Sequence, residues 1–558
     1  MHSALLDKQI AGHGPPRTRK SAAATSILIL AAVALSFAAV SGQLVRLAWN
    51  GQNSHRLDVA EPIVHIWARP DMVDRRGRLI ATDLQFHSLY ADPAMVLDPD
   101  EAAERLGRIF SDIDVRALRA QLADRSRRFV WIKRALPPSL AQTIHDLGFP
   151  GLAFRTEPKR AYPQGRLAGH VLGSVNIDNK GMSGLERHID EALGMQSGLA
   201  GDIERPPVTL SLDLGVQHGV EEELSAAMAR FSARAAAGIM MDVDTGEVVA
   251  AVSLPDVDPG RPAEAQEPDR MDRLQVATYE LGSVFKVVTV AMAMELGLAQ
   301  PSTVIDVRVP VQVGRWTIRD LHPSGRPLTM REVLVRSSNV GATKLALMAG
   351  PERQRAFLQR IGLLDGISSE AGSVTAPVLP SRWTDVEAAT IGFGHGIAIA
   401  PMQFAAVAAG LVNGGYRVSP TFLRSDPSLV RAAKEDRERV VSDSTSRRVR
   451  ELMRNAVTMP GATGWRADVP GYEVGGKTGT AEIAGRGGYR AKAVVASFLA
   501  AFPMRAPRYL LLVSLIEPKP AAGTHGHITA GVNAAPVAAS IIARAAPLLG
   551  VAPLRQSP

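Results

Sequence analysis

The chain has 558 residues, 46% of them apolar and 21% charged, an ordinary globular balance consistent with about three or four units. It contains no cysteine, which excludes disulfides, thiolate metal sites, a thiol nucleophile and an anchor built on an acylated cysteine. The net charge of +8 is spread along the chain without a Lys/Arg stripe, and aromatics are only 5%, so no nucleic-acid partner is expected.

Between Lys20 and Arg46 lies an uncharged run, Ser21–Val45. As a helix at 1.5 Å per residue it would be ~38 Å long, enough for a hydrocarbon core of roughly 30 Å. Arg17, Arg19 and Lys20 precede it, so the positive-inside rule keeps the tail 1–20 cytoplasmic and sends the bulk outward. A cleaved signal peptide has a shorter apolar core and an A-x-A-like site, a pattern that Ala39-Val40-Ser41 meets only in part. Residues 21–45 are therefore expected to be a single uncleaved transmembrane helix.

Residues 46–206 read as a mixed first domain punctuated by Pro and Gly, with surface helices in stretches such as Pro99–Leu122. A second domain is expected over 207–551, then a short tail, 552–558. Its first apolar runs, 236–243 and 247–253, flank Asp244-Thr245-Gly246 and predict a β-hairpin. Helical patterns follow over 284–296, 330–348 and 402–411. Val494–Phe502 and Tyr509–Ile516 predict a late hairpin across a Pro-bounded turn, and 533–549 a closing helix. Strands from both ends of a domain, with helices between, predict an α+β fold with an antiparallel sheet flanked by helices.

Three short motifs fall in order inside the second domain: Ser283-Val284-Phe285-Lys286, Ser337-Ser338-Asn339 and Lys477-Thr478-Gly479-Thr480. Together S-x-x-K, S-x-N and K-T-G mark class A β-lactamases and penicillin-binding proteins, whereas any one alone is weak. A serine hydroxyl is a poor nucleophile until a base takes its proton. Positions i and i+3 share a helix face about 5–6 Å apart, so Lys286 reaches the Ser283 oxygen. Moving a lysine pKa from about 10.4 to about 7.5 requires roughly 4 kcal/mol of destabilisation of the ammonium. Burial and a second cation supply that shift, and Lys477 is the expected cation.

The helix N-terminus at Ser283 offers backbone N–H groups to an oxyanion. Ser337 can relay a proton to a leaving amine, and Asn339 can hold Lys286 and a substrate amide. Lys477, Thr478 and Thr480 suit a terminal carboxylate, with Gly479 between the hydroxyls. No step calls for a cofactor or a metal. His525 and His527 form an H-x-H without an evident third ligand and are expected to be a loop.

These residues carry a resemblance that extends over nearly the whole chain, to the class B penicillin-binding proteins. Tyr279-Glu280-Leu281-Gly282-Ser283-Val284-Phe285-Lys286 is similar to the family's Y-E-P-G-S-x-F-K, with Leu281 replacing proline. Ser337-Ser338-Asn339-Val340-Gly341 and Gly476-Lys477-Thr478-Gly479-Thr480-Ala481 match outright. Gly392-Phe393-Gly394-His395-Gly396, with Pro401, Gln403 and Asn413-Gly414-Gly415, resembles the segment between the second and third motifs. In the first domain, Arg69 and Asp74-Arg75-Arg76-Gly77 resemble R-G-x-x-x-D-R-x-G, with Pro70 in place of glycine. Arg160-Ala161-Tyr162-Pro163, with Gly165, His170, Gly173, Asp178, Gly181, Gly184 and Glu186, resembles the second motif of the family's pedestal domain.

The resemblance implies a D,D-transpeptidase of the bacterial inner membrane with a periplasmic catalytic domain on a pedestal of the dimerisation type. Ser283 would cleave the D-Ala-D-Ala bond of a peptidoglycan stem peptide and pass the acyl group to an amine on a neighbouring glycan strand. Backbone N–H groups of Ser283 and Thr480 would form the oxyanion hole, and β-lactams would acylate the same serine. The implied partners are a polytopic glycan polymerase and other division membrane proteins. Ser-Ser-Asn followed by Val-Gly, with a compact pedestal, resembles the division type; an elongation type of the same family is the alternative.

Gly471–Thr478 also satisfies the phosphate-loop pattern G-x-x-x-x-G-K-[ST], but that loop needs a strand before it and a helix after it, and neither is expected here. A β-lactamase would need a carboxylate to activate deacylating water; Glu451 and Asn455 have the spacing, but Arg454 stands where leucine is usual. A β-lactam sensor or catalytically silent scaffold is a further alternative, disfavoured by the intact trio.

Overall fold

The computed structural model describes residues 27, 31–46, 69–192, 205–426, 437–485 and 488–554. The contacts fall into two units, residues 1–65 and 66–558. In the first, residues 31–46 are α-helical, and Val33, Leu35, Phe37, Val40, Leu44 and Val45 are all at least half exposed. Among the described residues no helix is long and apolar enough to cross a membrane. The expected tail 1–20 and much of the expected span 21–45 lie outside the described residues.

The second unit opens with a mixed sheet organised on one long strand. β1 (Met72–Val73) pairs antiparallel with β2 (Leu79–Ala91), which also pairs antiparallel with β3 (Val130–Leu136) and β4 (Leu152–Ala161). β5 (Val208–Thr209) joins β1 in parallel and leads into the second domain. The stretch 99–122 forms two helices, Pro99–Ile109 and Val115–Ala123. Asp98 and Asp114 start them, each side chain accepting two backbone N–H groups. Their apolar faces, including Leu106, Leu118 and Leu122, cover Leu89 and Ala91 of β2.

Beside this small core lies a buried ionic network. Glu186 accepts from Arg69 Nε at 2.8 Å, Arg160 Nε at 2.7 Å and the Tyr162 hydroxyl at 3.1 Å. Arg69 also pairs with Asp190, and Arg160 Nη1 with Asp83 at 3.2 Å. Burial and the Glu186 carboxylate push the Tyr162 phenol far above its usual pKa, so it stays protonated. Asp74 ties the neighbouring turn, accepting the N–H groups of Arg76, Arg78 and Leu214 at 2.9–3.1 Å.

The second domain carries a five-stranded antiparallel sheet. β6 (Ala235–Asp242) and β7 (Val248–Leu254) form the early hairpin. Three two-stranded ribbons lie within the helical stretch that follows: β8 (Val304–Ile305) with β11 (Leu328–Thr329), β9 (Val311–Val313) with β10 (Trp316–Ile318), and β12 (Ser368–Ser369) with β13 (Gly372–Ser373). The sheet is completed from the far end by β14 (Gly475–Gly485), β15 (Gly488–Phe502) and β16 (Tyr509–Ile516), in the order β14-β15-β16-β6-β7. Alternation along each strand divides its side chains between two cores. Leu511, Val513 and Leu515 face the helices Leu214–Phe231 and Ala534–Leu548, while Leu510 and Leu512 join the core of Lys286–Glu295, Pro401–Val412 and Asp443–Thr458.

The structure departs from the sequence pattern in two places. The helical pattern over 330–348 is two helices, Met330–Arg336 and Asn339–Arg360. Ser337 takes a left-handed φ of +61°, and the Ser338 side chain caps the new helix by accepting from Gly341 N at 2.9 Å. Apolar spacing continues across the break, so periodicity alone misses it. The second is that Lys477-Thr478-Gly479-Thr480 lies in a strand, β14, that no apolar run marks.

Candidate active site

β14 is the outer strand of its sheet, so one row of its backbone groups is left free of sheet pairing. The turn carrying Ser283 packs on that strand. A β-carbon on Gly282 would come within 2.8 Å of Thr480 O, and one on Gly479 within 2.4 Å of Leu281 O. Gly282 has a φ of +55°, and its N–H donates to Gly394 O at 3.1 Å. Two positions without side chains therefore allow the serine turn to touch the strand.

Ser283 lies in the 3-10 turn Gly282–Phe285, which runs into the helix Lys286–Glu295. Lys286 is fully buried, and its Nζ lies 2.9 Å from Ser283 Oγ, 2.6 Å from Asn339 Oδ1, 2.6 Å from Ser337 O and 3.2 Å from Ser337 Oγ. The left-handed Ser337 lets its carbonyl and hydroxyl face the same ammonium, a conformation costing a non-glycine residue on the order of 1–3 kcal/mol. It is held by its own N–H on Leu334 O and by the Ser338 N–H on Val333 O at 2.9 Å. Asp320 fixes the next turn, accepting from Ser338 Oγ at 2.7 Å and Val340 N at 2.9 Å.

Lys477 completes the cluster from β14. Its Nζ donates to Ser337 Oγ at 2.9 Å and to Thr478 O at 2.9 Å, and it too is fully buried. Burial lowers both lysines. Lys286, which also feels the Lys477 charge, sits well below the ordinary lysine value despite an opposing pull from Asp320. Lys477 is drawn down to about 7 by burial. Desolvation therefore exceeds charge repulsion, and Lys477 titrates near neutrality, whereas the sequence presents it simply as a cation.

Above the lysines opens a cleft of about 670 Å³, lined by Ser283, Ser337, Asn339, Thr478 and Thr480. Thr480 Oγ1 accepts from Ala530 N at 3.1 Å, and Thr478 Oγ1 lies 2.7 Å from Thr463 Oγ1. All three motifs thus reach one pocket. A model of the family described as penicillin binding protein transpeptidase domain matches residues 236–543, and one described as penicillin-binding protein dimerisation domain matches residues 68–201.

The chain belongs to the penicillin-binding protein transpeptidase family. It is 37% identical over 491 residues to a probable peptidoglycan D,D-transpeptidase FtsI of Caulobacter vibrioides, covering 87% of this chain and 82% of that protein. It is 30% identical over 505 residues to the peptidoglycan D,D-transpeptidase FtsI of Escherichia coli, covering 85% and 82%. Penicillin binding protein 3 of Mycobacterium tuberculosis, solved with aztreonam, has a similar fold, with a TM-score of 0.65 at 24% identity over 88% of this chain and 99% of that one.

In this penicillin-binding protein the rival motifs lie elsewhere than their chemistry requires. The phosphate-loop lysine is in the middle of sheet pairing, with Lys477 opposite Leu499, and no helix follows it. Glu451 is an exposed partner of Arg331 at 2.7 Å and does not line the cleft. His525 and His527 sit exposed in a loop, and among the described residues no group of three or more His, Asp or Glu could hold a metal ion.

Other residues singled out in the sequence prove to be supports. Thr289 donates to Gly392 O at 2.7 Å, Gln403 spans to Gly362 O and Leu363 O, and Asn413 reaches Val243 O at 2.9 Å. Asp320, Arg336, Thr463, Trp465 and Arg466 border the cleft but escaped sequence reasoning. They belong to no motif, and the Pro460-Gly461 turn signal marks only a loop.

Proposed function

We propose that this D,D-transpeptidase cross-links peptidoglycan through a serine acyl-enzyme on Ser283, at the division septum, and that penicillin acylates the same serine. The observation that carries it is the 2.9 Å contact between a desolvated Lys286 and Ser283 Oγ, with Lys477 meeting the neighbouring Ser337 hydroxyl. Neutral Lys286 takes the Ser283 proton as Oγ attacks the penultimate D-alanine carbonyl. The oxyanion sits between the N–H groups of Ser283 and Thr480. Ser337 Oγ gives its proton to the departing D-alanine nitrogen and is reprotonated from a lysine. Asn339 holds Lys286 and the substrate amide, and Thr478, Gly479 and Thr480 form the wall for the terminal carboxylate. An amine from a second strand then attacks the ester, its proton returning by the same route to Ser283.

The outer-face location follows from residues 21–45 acting as an inner-membrane anchor, with the tail 1–20 cytoplasmic. The exposed apolar side chains of the helix over 31–46 support that reading, since a helix apolar on all sides belongs in lipid or a protein core. The names of the relatives support the septal assignment and, with it, a polytopic glycan polymerase and other division proteins as membrane partners. The test is the full chain in detergent with fluorescent penicillin and with donor and acceptor stem peptides. Stable labelling and cross-linked product, both lost in Ser283→Ala, are expected. Rapid turnover of the drug without cross-linking would identify a β-lactamase instead.

A further inference from the structure

A second cavity, of about 350 Å³, lies against the sheet of the first domain, and none of the three motifs reaches it. Its floor is the face of β2 turned away from the helices. Leu89 and Ala91 pack under those helices, so by alternation Phe86 and Ser88 point to the other side. Phe86 stands opposite Glu157 of β4, which lines the cavity with it. The loop 175–179 and Pro259, Gly260 and Pro262 of the second domain complete the enclosure.

Two residues that line this cavity each bury a polar atom with no partner. Arg160 Nη2 and Asn179 Oδ1 make no hydrogen bond among the described residues, and both residues are more than nine-tenths buried. Neither side chain is free to turn. Arg160 is fixed by Nε on Glu186 at 2.7 Å and Nη1 on Asp83 at 3.2 Å. Asn179 Nδ2 donates to Asp83 at 2.7 Å, which sets the amide with its oxygen away from that carboxylate. The Asn179 backbone is held left-handed, φ +59°, by its N–H on Asn176 O at 3.0 Å and its carbonyl on Arg69 Nη1. A buried donor or acceptor left unmet is costly, so a fixed pair of them calls for a ligand that answers both. The acids of the wall are already paired: Glu157 accepts Arg134 Nε and Nη2 at 3.0 Å, and Asp178 accepts Arg134 Nη1 at 2.7 Å. A neutral group offering one acceptor and one donor fits, and a secondary amide has both. Phe86, Val175, Ile177 and the two prolines give its alkyl flank an apolar wall.

Arg134 also lies over the Trp131 ring at 5.0 Å, and Trp131, Phe129 and Tyr90 continue as a half-buried aromatic strip with successive rings 4.8 Å apart. Such rings take the C–H faces of a sugar. We propose that this cavity binds the acetamido group of an N-acetylated amino sugar in the glycan strand. Arg160 Nη2 donates to its carbonyl, Asn179 Oδ1 accepts its N–H, and a neighbouring sugar rests on the aromatic strip. The peptide bonds of the stem are the other source of the same chemistry. The choice of a glycan rests on the transpeptidase reading, whereas the amide-binding cavity does not.

The test uses the full chain in detergent, treated with penicillin to block the Ser283 cleft, and titration calorimetry with three probes. These are di-N-acetylchitobiose, cellobiose, which has hydroxyls in place of the acetamido groups, and the free stem peptide. Di-N-acetylchitobiose should bind about tenfold tighter than cellobiose, the order that two hydrogen bonds supply when one involves a charged group. Asn179→Gly keeps the left-handed backbone and removes the acceptor, so it should cancel that preference. Ile177→Ser, at a side chain 71% exposed, should melt like wild type and weaken di-N-acetylchitobiose about threefold through lost apolar contact. Equal affinity for the two sugars, wild-type affinity in Ile177→Ser, or no binding of either sugar overturns the proposal. Stem peptide bound in place of the sugar, with the same losses in both variants, overturns the glycan as the source. Failure of penicillin to label wild type counts against the transpeptidase reading alone, since the sugar titrations do not use Ser283.

Discussion

Lys286 and Lys477 converge on one oxygen: their ammonium nitrogens lie 3.2 and 2.9 Å from Ser337 Oγ, and neither side chain touches solvent. Two lysines sharing a hydroxyl in a dry pocket cannot both stay charged without cost, so each favours the other's neutral form. The first prediction concerns this pair. In the proposed mechanism acylation needs neutral Lys286, so its rate should fall as pH drops through the Lys286 titration. In Lys477→Met the like charge is gone, Lys286 becomes more basic, and the acid limb should move to higher pH, with the maximum reduced about 100-fold. Stopped-flow acylation by a chromogenic cephalosporin across pH 5–10 measures both effects; an acid limb moved downward would contradict the coupling.

Ser337→Ala removes the hydroxyl that bridges the two lysines and that, in the proposed mechanism, supplies the leaving-group proton. A positioned proton donor is worth about 10²–10⁴-fold. The transfer rate to an acceptor amine should drop by that order while the thermal midpoint changes little. Quantifying cross-linked product by mass spectrometry, alongside calorimetry, checks it.

Gly394 has a φ of +87°, and a β-carbon there would lie 2.0 Å from Gly282 O. Gly394→Ala should push the Ser283 turn off β14 and nearly abolish penicillin labelling. Gly366→Ala, where nothing lies within 4 Å, should label like wild type. Equal labelling of the two variants would show that the close approach is not required.

Asp256 faces His170 Nε2 at 3.6 Å between the two domains, and burial raises its pKa to about 8. The unfolded value is 3.8, so between about pH 4 and pH 8 the folded chain holds a proton that the unfolded chain has lost. Stability from this group is present at low pH and disappears as pH climbs through the window. Asp256→Asn cannot titrate, so its melting temperature should match wild type near pH 4 and exceed it at pH 8. Scanning calorimetry at the two pH values decides.

Glu186→Ala would leave Arg69 and Arg160 buried with too little negative charge. Breaking a buried pair from one side costs about 3–5 kcal/mol. The melting transition of the pedestal should fall sharply, whereas Glu104→Ala, at an exposed pair with Arg108, should change it little. Thermal unfolding followed by circular dichroism compares the two.

Much of the second domain was legible in the chain itself. The early and late hairpins and the closing helix sit within a residue or two of their apolar runs, apart from the N-terminal extension of β15 to Gly488, because a buried strand or helix announces itself by composition. The break at Ser337 was not legible, since it depends on a side-chain cap and one left-handed residue rather than on hydrophobic spacing. Nor was β14, whose Gly476-Lys477-Thr478-Gly479-Thr480 has little strand propensity and is held by pairing with β15.

The ordered motifs by themselves pointed to the proposed chemistry: a serine, a lysine one helical turn later, a second hydroxyl with an amide, and a distant lysine. Only the fold decided how those groups act on one another. Desolvation and mutual charge depend on distance and burial, which arise when β14 closes against the Ser283 turn, and no local pattern encodes them. The same closure brings Arg336, Arg466, Thr478 and Thr480 onto one cleft, a meeting of segments that chain order gives no means to anticipate.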